Sequence, residues 1–249
     1  MTTYTAPPDQ TGLDLKFGDI LNVNSGGTAT GTTIYNHGLE DVRAGGVSYA
    51  TVIDSGGGEQ IRGESVDTII NNGGQERVLT GKSVGTIINN GGEEVVFDGG
   101  ATSVRTTVHS GGLETVYGGT AIDTTIDGGT EMVIFSGLAD NVVFAGAGSR
   151  LELALPSVLK GTVSNFHVGD VIDLLNTAVT GLTETGNTLT VTYGNDRKAI
   201  YTLAGQQSDT HFTSRSDGHG GTDLILTPIV GVPHLEAAIH FGPGPHLHF

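Results

Sequence analysis

The amino-acid sequence predicts an all-β protein, and within that class a single-stranded β-solenoid, or β-helix. Three observations support this fold. A unit of 17 to 20 residues recurs along the chain, paired glycines punctuate each unit, and β-branched residues alternate with polar residues between the glycines. The 41 glycines also disfavour helices, because each glycine inside a helix costs about 1 kcal/mol relative to alanine. We therefore expect many short strands joined by tight turns.

The repeat is clearest when the units are aligned on Thr-x-Ile and Gly-Gly. Successive units begin at Thr32, Thr51, Thr68, Thr86, Thr106 and Thr124. Each unit is expected to form a strand, a turn at Asn/Ser-Gly-Gly, a second strand and a second turn. Glycine recurs because the corners need a positive φ, which it adopts freely.

A unit of this size cannot bury its own apolar side chains, so it must stack on its neighbours. About seven coils are expected, with two interior ladders that take one residue from each unit. The first ladder is Ile34, Ile53, Ile70, Ile88, Val108 and Ile126, and the second is Val42, Ile61, Val78, Val96, Val116 and Val133. The alternative fold is a glycine-rich β-sandwich.

The chain divides into four parts by its sequence texture. We assign residues 1–18 to an N-terminal lead-in or cap, 19–160 to the repeat solenoid, 161–230 to a β-rich continuation or cap, and 231–249 to a flexible or strand-donating tail. The third part holds longer strands and larger aromatic residues. We expect Phe166, Tyr193, Tyr201 and Phe212 to cover the end of the solenoid, which protects its edge strands from aggregation.

Composition excludes several classes of partner. The formal net charge of −16 repels phosphate backbones, so nucleic-acid binding is not expected. Without cysteine there are no disulfides or thiolate metal sites, which leaves oxygen-ligated Ca²⁺ or His-ligated metals as the possible inorganic partners. No apolar stretch is long enough for a membrane span, and the N-terminus has no basic start or apolar run. We expect export by a route without a cleavable N-terminal signal, and no membrane insertion.

Glutamate recurs at one position of the repeat. We expect Glu40, Glu59, Glu76, Glu94 and Glu114 to form an acidic ladder on the outer surface, with Glu131 one place out of phase. Such a surface ladder is either a cation-bridged adhesive face or a solvated column that keeps strand edges apart.

One glycine-rich turn is a metal candidate. Asp217-Gly-His-Gly-Gly-Thr-Asp223 is similar to the turns that bind Ca²⁺ in parallel β-rolls, so Asp217 and Asp223 are candidate ligands. Otherwise no cofactor is expected. Catalytic motifs such as a nucleophile elbow or a phosphate loop are missing from the sequence, and the basic residues along the repeats are scattered, so we do not expect an enzyme.

The repeat Thr-x-Ile-x-x-Gly-Gly-x-Glu-x-Val-x-x-Gly-Gly resembles the strand-loop-strand repeats of AIDA-type autotransporter adhesin passengers, from about Asp19 to Leu153. The resemblance implies a right-handed β-solenoid on a bacterial surface or secreted, with a role in adhesion and self-aggregation. The segment Phe166-His-Val-Gly-Asp-Val-Ile-Asp-Leu174 resembles the C-terminal solenoid segment of many bacterial secreted proteins.

These observations favour an extracellular structural or adhesive module. We expect it to associate end to end into oligomers or filaments, with His234, Ile239, Phe241 and Phe249 of the tail at the contact. A carbohydrate or protein of a host or bacterial surface is the expected further partner. Two alternatives stay open: a carbohydrate-active β-helix enzyme, and a passive spacer of a larger secreted protein.

Overall fold

A computed structural model describes residues 1–97 and 99–229. These residues form a β-solenoid of about nine turns, which confirms the expected fold class. The turns beyond the expected seven or so repeat coils come from the weakly repetitive sequence at both ends of the array, which also stacks. Within the described residues the single helix is a 3-10 turn at Pro156–Val158, so no helix there is long and apolar enough to cross a membrane.

The strands are short in the repeats and longer towards the C-terminus. The first fifteen are β1 (Thr3–Ala6), β2 (Gln10–Thr11), β3 (Asp14–Leu15), β4 (Ile20–Val23), β5 (Thr28–Thr30), β6 (Thr33–Ile34), β7 (Leu39–Val42), β8 (Val47–Tyr49), β9 (Val52–Ile53), β10 (Gly58–Ile61), β11 (Glu64–Val66), β12 (Ile69–Ile70), β13 (Gln75–Val78), β14 (Lys82–Val84) and β15 (Ile87–Ile88). The rest are β16 (Glu93–Phe97), β17 (Thr102–Val104), β18 (Thr107–His109), β19 (Leu113–Tyr117), β20 (Thr120–Asp127), β21 (Thr130–Ile134), β22 (Leu138–Gly146), β23 (Arg150–Leu153), β24 (Leu159–Ser164), β25 (Val171–Leu174), β26 (Val179–Thr185), β27 (Thr188–Tyr193), β28 (Arg197–Ala204), β29 (Thr210–Ser216) and β30 (Thr222–Pro228).

Two long sheets run along the solenoid. One contains β1, β4, β7, β10, β13, β16, β19, β21, β23 and β25 in parallel order, and the antiparallel pair β30 and β29 completes it at the C-terminal end. The other sheet collects the remaining strands. The parallel pairing of strands one coil apart rules out the β-sandwich.

Both predicted interior ladders are present. Ile70 lies opposite Ile53 and Ile88, and Val78 lies opposite Ile61 and Val96 in the register of neighbouring strands. Every member of the two ladders is 0% exposed. Because side chains alternate between the faces of a strand, every second residue of each repeat points into this core.

Glycine at the corners lets neighbouring coils approach closely. A Cβ atom on Gly57 would lie 2.4 Å from the carbonyl oxygen of Ile34, one coil earlier. Any side chain at this position would therefore push two coils apart. This contact explains the second glycine of the recurring pair, whereas the first, Gly56, has a φ of 74°.

The two ends of the chain differ. Residues 1–18 contain β1, β2 and β3, which pair in parallel with β4, β5 and β6, so this segment is a coil of the stack. The stack continues through β24 and β25, and antiparallel strands follow. The four aromatics Phe166, Tyr193, Tyr201 and Phe212 are all buried in this region. Phe166 contacts Phe144 of the last coils, with ring centroids 4.8 Å apart.

Candidate functional site

The glutamate ladder lies inside the solenoid, so its expected position on the outer surface is wrong. Glu40, Glu76, Glu94, Glu114 and Glu131 are 0% exposed and Glu59 is 1% exposed. Glu131 is also in register with Glu114, not one place out of phase. We call these six residues the glutamate column.

A signal for this burial is present in the sequence. Glu40 and Val42 are two residues apart in β7, and alternation puts both on one face of the strand. Val42 belongs to the second interior ladder, so the glutamate had to point inwards as well. The charge of the side chain had suggested the opposite face.

Hydroxyl groups from two other columns satisfy the buried carboxyl groups. Ser65 donates to Glu76 Oε1 at 2.5 Å, and Thr86 donates to Glu76 Oε2 at 3.1 Å. The same arrangement, with a serine before and a threonine after each glutamate, recurs at Glu59, Glu94 and Glu114. Each of these four carboxyl groups thereby has a hydroxyl donor for both of its oxygens, which meets the requirement that buried polar atoms be hydrogen-bonded.

The column loses these donors at its ends. Ala29 stands in the serine column before Glu40, and Glu40 Oε1 has no hydrogen-bond partner among the described residues. At the other end, Ala121 and Val142 occupy the serine and threonine positions, and neither oxygen of Glu131 finds a partner in the described chain. An ionised carboxylate there would be strongly unfavourable.

Burial changes the protonation of the column. Removal from water raises the pKa of Glu40 to about 7, of Glu76 to about 8 and of Glu114 to about 7. Burial, followed by repulsion from neighbouring carboxyl groups, raises the pKa well above its usual range for Glu59, Glu94 and Glu131. The column therefore holds protons at neutral pH, and it is not accessible to a surface cation or another cell.

The two candidate Ca²⁺ ligands have separate roles in the structure. Asp217 lies in the turn between β29 and β30, where its Oδ1 accepts hydrogen bonds from the backbone N–H of His219 at 2.7 Å and of Gly221 at 2.9 Å. These bonds lower its pKa. Asp223 lies in β30 and pairs with Arg215 at 3.1 Å. The described part of the chain contains no group of three or more His, Asp or Glu side chains arranged to hold a metal ion.

A second charged cluster joins the solenoid to its C-terminal strands. Arg150 Nη2 is hydrogen-bonded to Asp173 Oδ2 and lies 3.7 Å from Asp223 Oδ1, while Arg150 Nε contacts Glu152 at 2.7 Å. Asp173 and Asp223 are opposite each other in β25 and β30, and their side chains are 5% and 8% exposed. Burial raises the pKa of Asp173, and the Arg150 guanidinium opposes that shift. The sequence did not reveal this cluster, because Arg150, Asp173 and Asp223 come from three separate strands.

An exposed series of apolar side chains also escaped sequence analysis. Tyr117 is 38% exposed, Phe135 is 62% exposed and Leu155 is 45% exposed. The ring centroid of Tyr117 lies 4.1 Å from that of Phe135 and 6.0 Å from that of Phe97. We call Phe97, Tyr117, Phe135 and Leu155 the aromatic edge. Alignment of the residues directly after the second ladder would have revealed its first members.

The tail residues expected at a self-association contact, His234, Ile239, Phe241 and Phe249, lie outside the described residues.

Comparison with known proteins shows a similarity to a solved structure. No protein-family model matches the chain, and no curated protein matches it. Among solved structures, the chain is similar to the crystal structure of a TibC-catalysed, hyper-glycosylated TibA55-350 fragment, with a TM-score of 0.59 and 29% sequence identity. The match covers 68% of this chain and 62% of that one, so the chain corresponds to less than two thirds of the fragment. Together with the stacked topology, this similarity supports a β-helical, adhesin-like repeat.

Proposed function

We propose that this chain is an adhesive β-solenoid module of the AIDA type, secreted or displayed on a bacterial surface, and that its copies associate end to end. The observation that carries the proposal is the similarity to the TibA fragment at 29% identity over 68% of this chain. That neighbour is an autotransporter adhesin passenger, which supports an adhesive role and a location outside the cell. Any surface carbohydrate or protein partner belongs to this proposal.

Edge strands support the self-association part of the proposal. Among the described residues, β29 (Thr210–Ser216) pairs with β30 alone and is an outer strand of its sheet. An edge strand presents backbone N–H and C=O groups that can accept a strand from another chain, although the N–H of Phe212 in β29 already donates to Glu184 Oε2 at 3.3 Å. A filament follows if the contact is head to tail and its rotation does not close.

The cluster of Arg150, Asp173 and Asp223 is the place in the structure where the enzyme alternative can be assessed. A carbohydrate-active β-helix needs carboxyl groups, often with a basic residue, in an open cleft. Asp173, Asp223 and Arg150 supply the carboxyl groups and the basic residue, but they do not lie in an open cleft. The two aspartates are almost fully buried, and the guanidinium of Arg150 contacts Asp173 and lies close to Asp223. A substrate would have to displace Arg150 to reach them. The geometry thus favours a structural role for this cluster.

The experiment that tests the proposal has two parts. Electron microscopy and sedimentation of the purified chain, over a range of concentrations and with Ca²⁺ or chelator, measure assembly with and without residues 234–249. Display of the chain on a non-adherent bacterial cell measures adhesion to surfaces and aggregation. Assembly that disappears on truncation supports the end-to-end contact, and adhesion of displaying cells supports the adhesive role. Dispersed rods under all conditions together with non-adherent cells would contradict both parts of the proposal.

A further inference from the structure

One corner of the solenoid changes its chemistry from coil to coil. In the register of the sheet the second ladder continues through Val23 at one end and through Leu153 and Leu174 at the other. The residue directly after each ladder position is polar or basic in the early coils, at Asn24, Arg43 and Arg62. In the later coils the same position is apolar, at Leu79, Phe97, Tyr117, Ile134, Ala154 and Leu175. Because alternation points this position away from the core, the early coils show that a polar residue serves the fold there. The apolar series is therefore not required by the solenoid itself.

The aromatic edge presents ring surfaces to solvent along this corner. Phe97, Tyr117 and Phe135 contact one another in sequence from coil to coil, and Arg77 lies 5.9 Å from the Phe97 ring centroid at one end. Contiguous exposed apolar side chains on a soluble protein usually mark a binding surface. The three rings form a contiguous row from coil to coil, which we call the platform, and neighbouring rings are tilted by 49° and 45°.

A groove continues the platform towards the C-terminal strands. Its volume is about 550 Å³, and it is lined by Ile134, Phe135, Ala154, Leu155, Leu175, Asn176, Thr177 and Arg197. The lining combines apolar side chains with an amide, a hydroxyl and a guanidinium, the mixture that is typical of small-molecule and oligosaccharide sites. None of these lining residues is acidic, although the chain as a whole carries a formal charge of −16.

Local charge selects among the partners that such a surface fits. A cationic peptide is disfavoured, because Arg197 lines the groove without an acidic neighbour in the lining. The contact between copies that we propose uses the edge strand β29, so this corner is left for another partner. A sugar chain fits: its C–H faces pack on aromatic rings, and its hydroxyl or carboxylate oxygens accept hydrogen bonds from an amide or guanidinium.

We propose that the aromatic edge and its groove bind a linear glycan, with Tyr117 and Phe135 as the stacking platform and Arg197 and Asn176 as the hydrogen-bonding groups. The glycan lies along the solenoid axis, so consecutive sugar rings meet side chains from consecutive coils. This inference rests on the proposed adhesive function and names its partner class and binding surface.

The test begins with an array of defined neutral and acidic oligosaccharides. Titration calorimetry then measures the affinity of the full chain for the strongest neutral and the strongest acidic probe. The double variant Tyr117→Ala/Phe135→Ala is expected to bind at least about tenfold more weakly, while Arg197→Ala is expected to weaken the acidic probe more than the neutral one. Tyr49→Ala is the matched control, because Tyr49 is 42% exposed and lies in β8, in the other sheet.

Failure of this inference can be separated from failure of the proposed function. Absence of binding to every oligosaccharide on the array, or unchanged affinity of the folded double variant, would overturn the glycan groove. If cells that display the double variant still adhere as well as the wild type, adhesion stands and its surface lies elsewhere. If neither form adheres, yet glycan binding depends on Tyr117 and Phe135, the groove stands without the adhesive role.

Discussion

Glu114 and Glu131 lie directly opposite each other in neighbouring strands, yet only Glu114 is hydrogen-bonded. Ser103 and Thr124 donate to the two oxygens of Glu114 at 2.6 Å and 3.0 Å, whereas both oxygens of Glu131 are buried without a partner in the described chain. The same carboxyl group thus occurs in one coil with its donors and in the next without them. This difference makes the energetics of the glutamate column directly measurable.

Stability is expected to fall as the pH rises from about 4.5 to about 8. The folded pKa values of Glu40, Glu76 and Glu114 are about 7, 8 and 7, above the value of 4.5 for an ordinary glutamate. The folded chain therefore binds protons that the unfolded chain has released in this window, and raising the pH costs stability. The loss should be on the order of 2 kcal/mol or more. Urea denaturation at pH 5, 7 and 8.5 measures it, and a free energy of unfolding that is flat or rises with pH would contradict the prediction.

Replacing Glu76 by glutamine should flatten this pH dependence. The amide keeps the shape of the side chain and retains an acceptor for the Ser65 or Thr86 hydroxyl, but it does not ionise. We expect Glu76→Gln to be as stable as the wild type at pH 5 and more stable at pH 8.5. Glu76→Ala is the contrasting variant. It leaves both hydroxyls without their acceptor and creates a cavity, so it should lose about 2 to 4 kcal/mol relative to the wild type at pH 5. The loss should be smaller at pH 8.5, because ionisation of the buried Glu76 already destabilises the wild type there.

Restoring a donor to Glu131 should stabilise the fold. Ala121 lies next to Ser103, the donor to Glu114, in the register of neighbouring strands. Ala121→Ser therefore offers Glu131 an equivalent hydroxyl, and we expect the free energy of unfolding to rise by about 1 kcal/mol. Ala139→Ser is the matched control. Ala139 follows Ala121 in the serine column, but the glutamate position of its coil holds Leu151, so the added hydroxyl has no carboxyl acceptor there. Calorimetry that shows equal effects for the two serines would reject the hydrogen-bond explanation.

Removing Arg150 should loosen the antiparallel end of the molecule. Arg150→Met leaves Asp173 without its guanidinium partner in a nearly buried position, which we expect to cost about 1 to 3 kcal/mol after allowance for the partial exposure of Arg150. Hydrogen exchange should rise in β25 and β30 while the early coils keep their protection. Arg43→Ala is the control, since the Arg43 side chain is 50% exposed and its hydrogen bonds to Asp41, Asn22 and Asn24 lie at the surface, so the change in stability should be less than about 1 kcal/mol. Uniformly faster exchange along the whole solenoid would argue against a local role for Arg150.

The sequence was sufficient for the fold and insufficient for the sites, for identifiable reasons. Ile70 and Val78 could be placed in the core because strand alternation and the repeat period act on every coil alike. Glu76 was misplaced because charge was weighted above alternation, although it shares a face with Val78. The contact of Arg150 with Asp173 and Asp223 depends on an antiparallel return of the chain, which no repeat encodes. The aromatic edge was missed because the residues after the second ladder were not compared across coils.

The hydrogen bonds of the glutamate column also cross the boundary between one repeat and the next. Each of the four inner glutamates, Glu59, Glu76, Glu94 and Glu114, takes one hydroxyl from the segment before it and one from the segment after it, as Glu76 does from Ser65 and Thr86. A whole unit inserted or deleted in the middle of the array would therefore find complete partners on both sides. Only the terminal units, bounded by Leu21 and Leu151 in the glutamate position, are fixed in place. The number of coils can therefore change without depriving a buried carboxyl group of its donors. The length of the molecule can thus vary in steps of one whole coil.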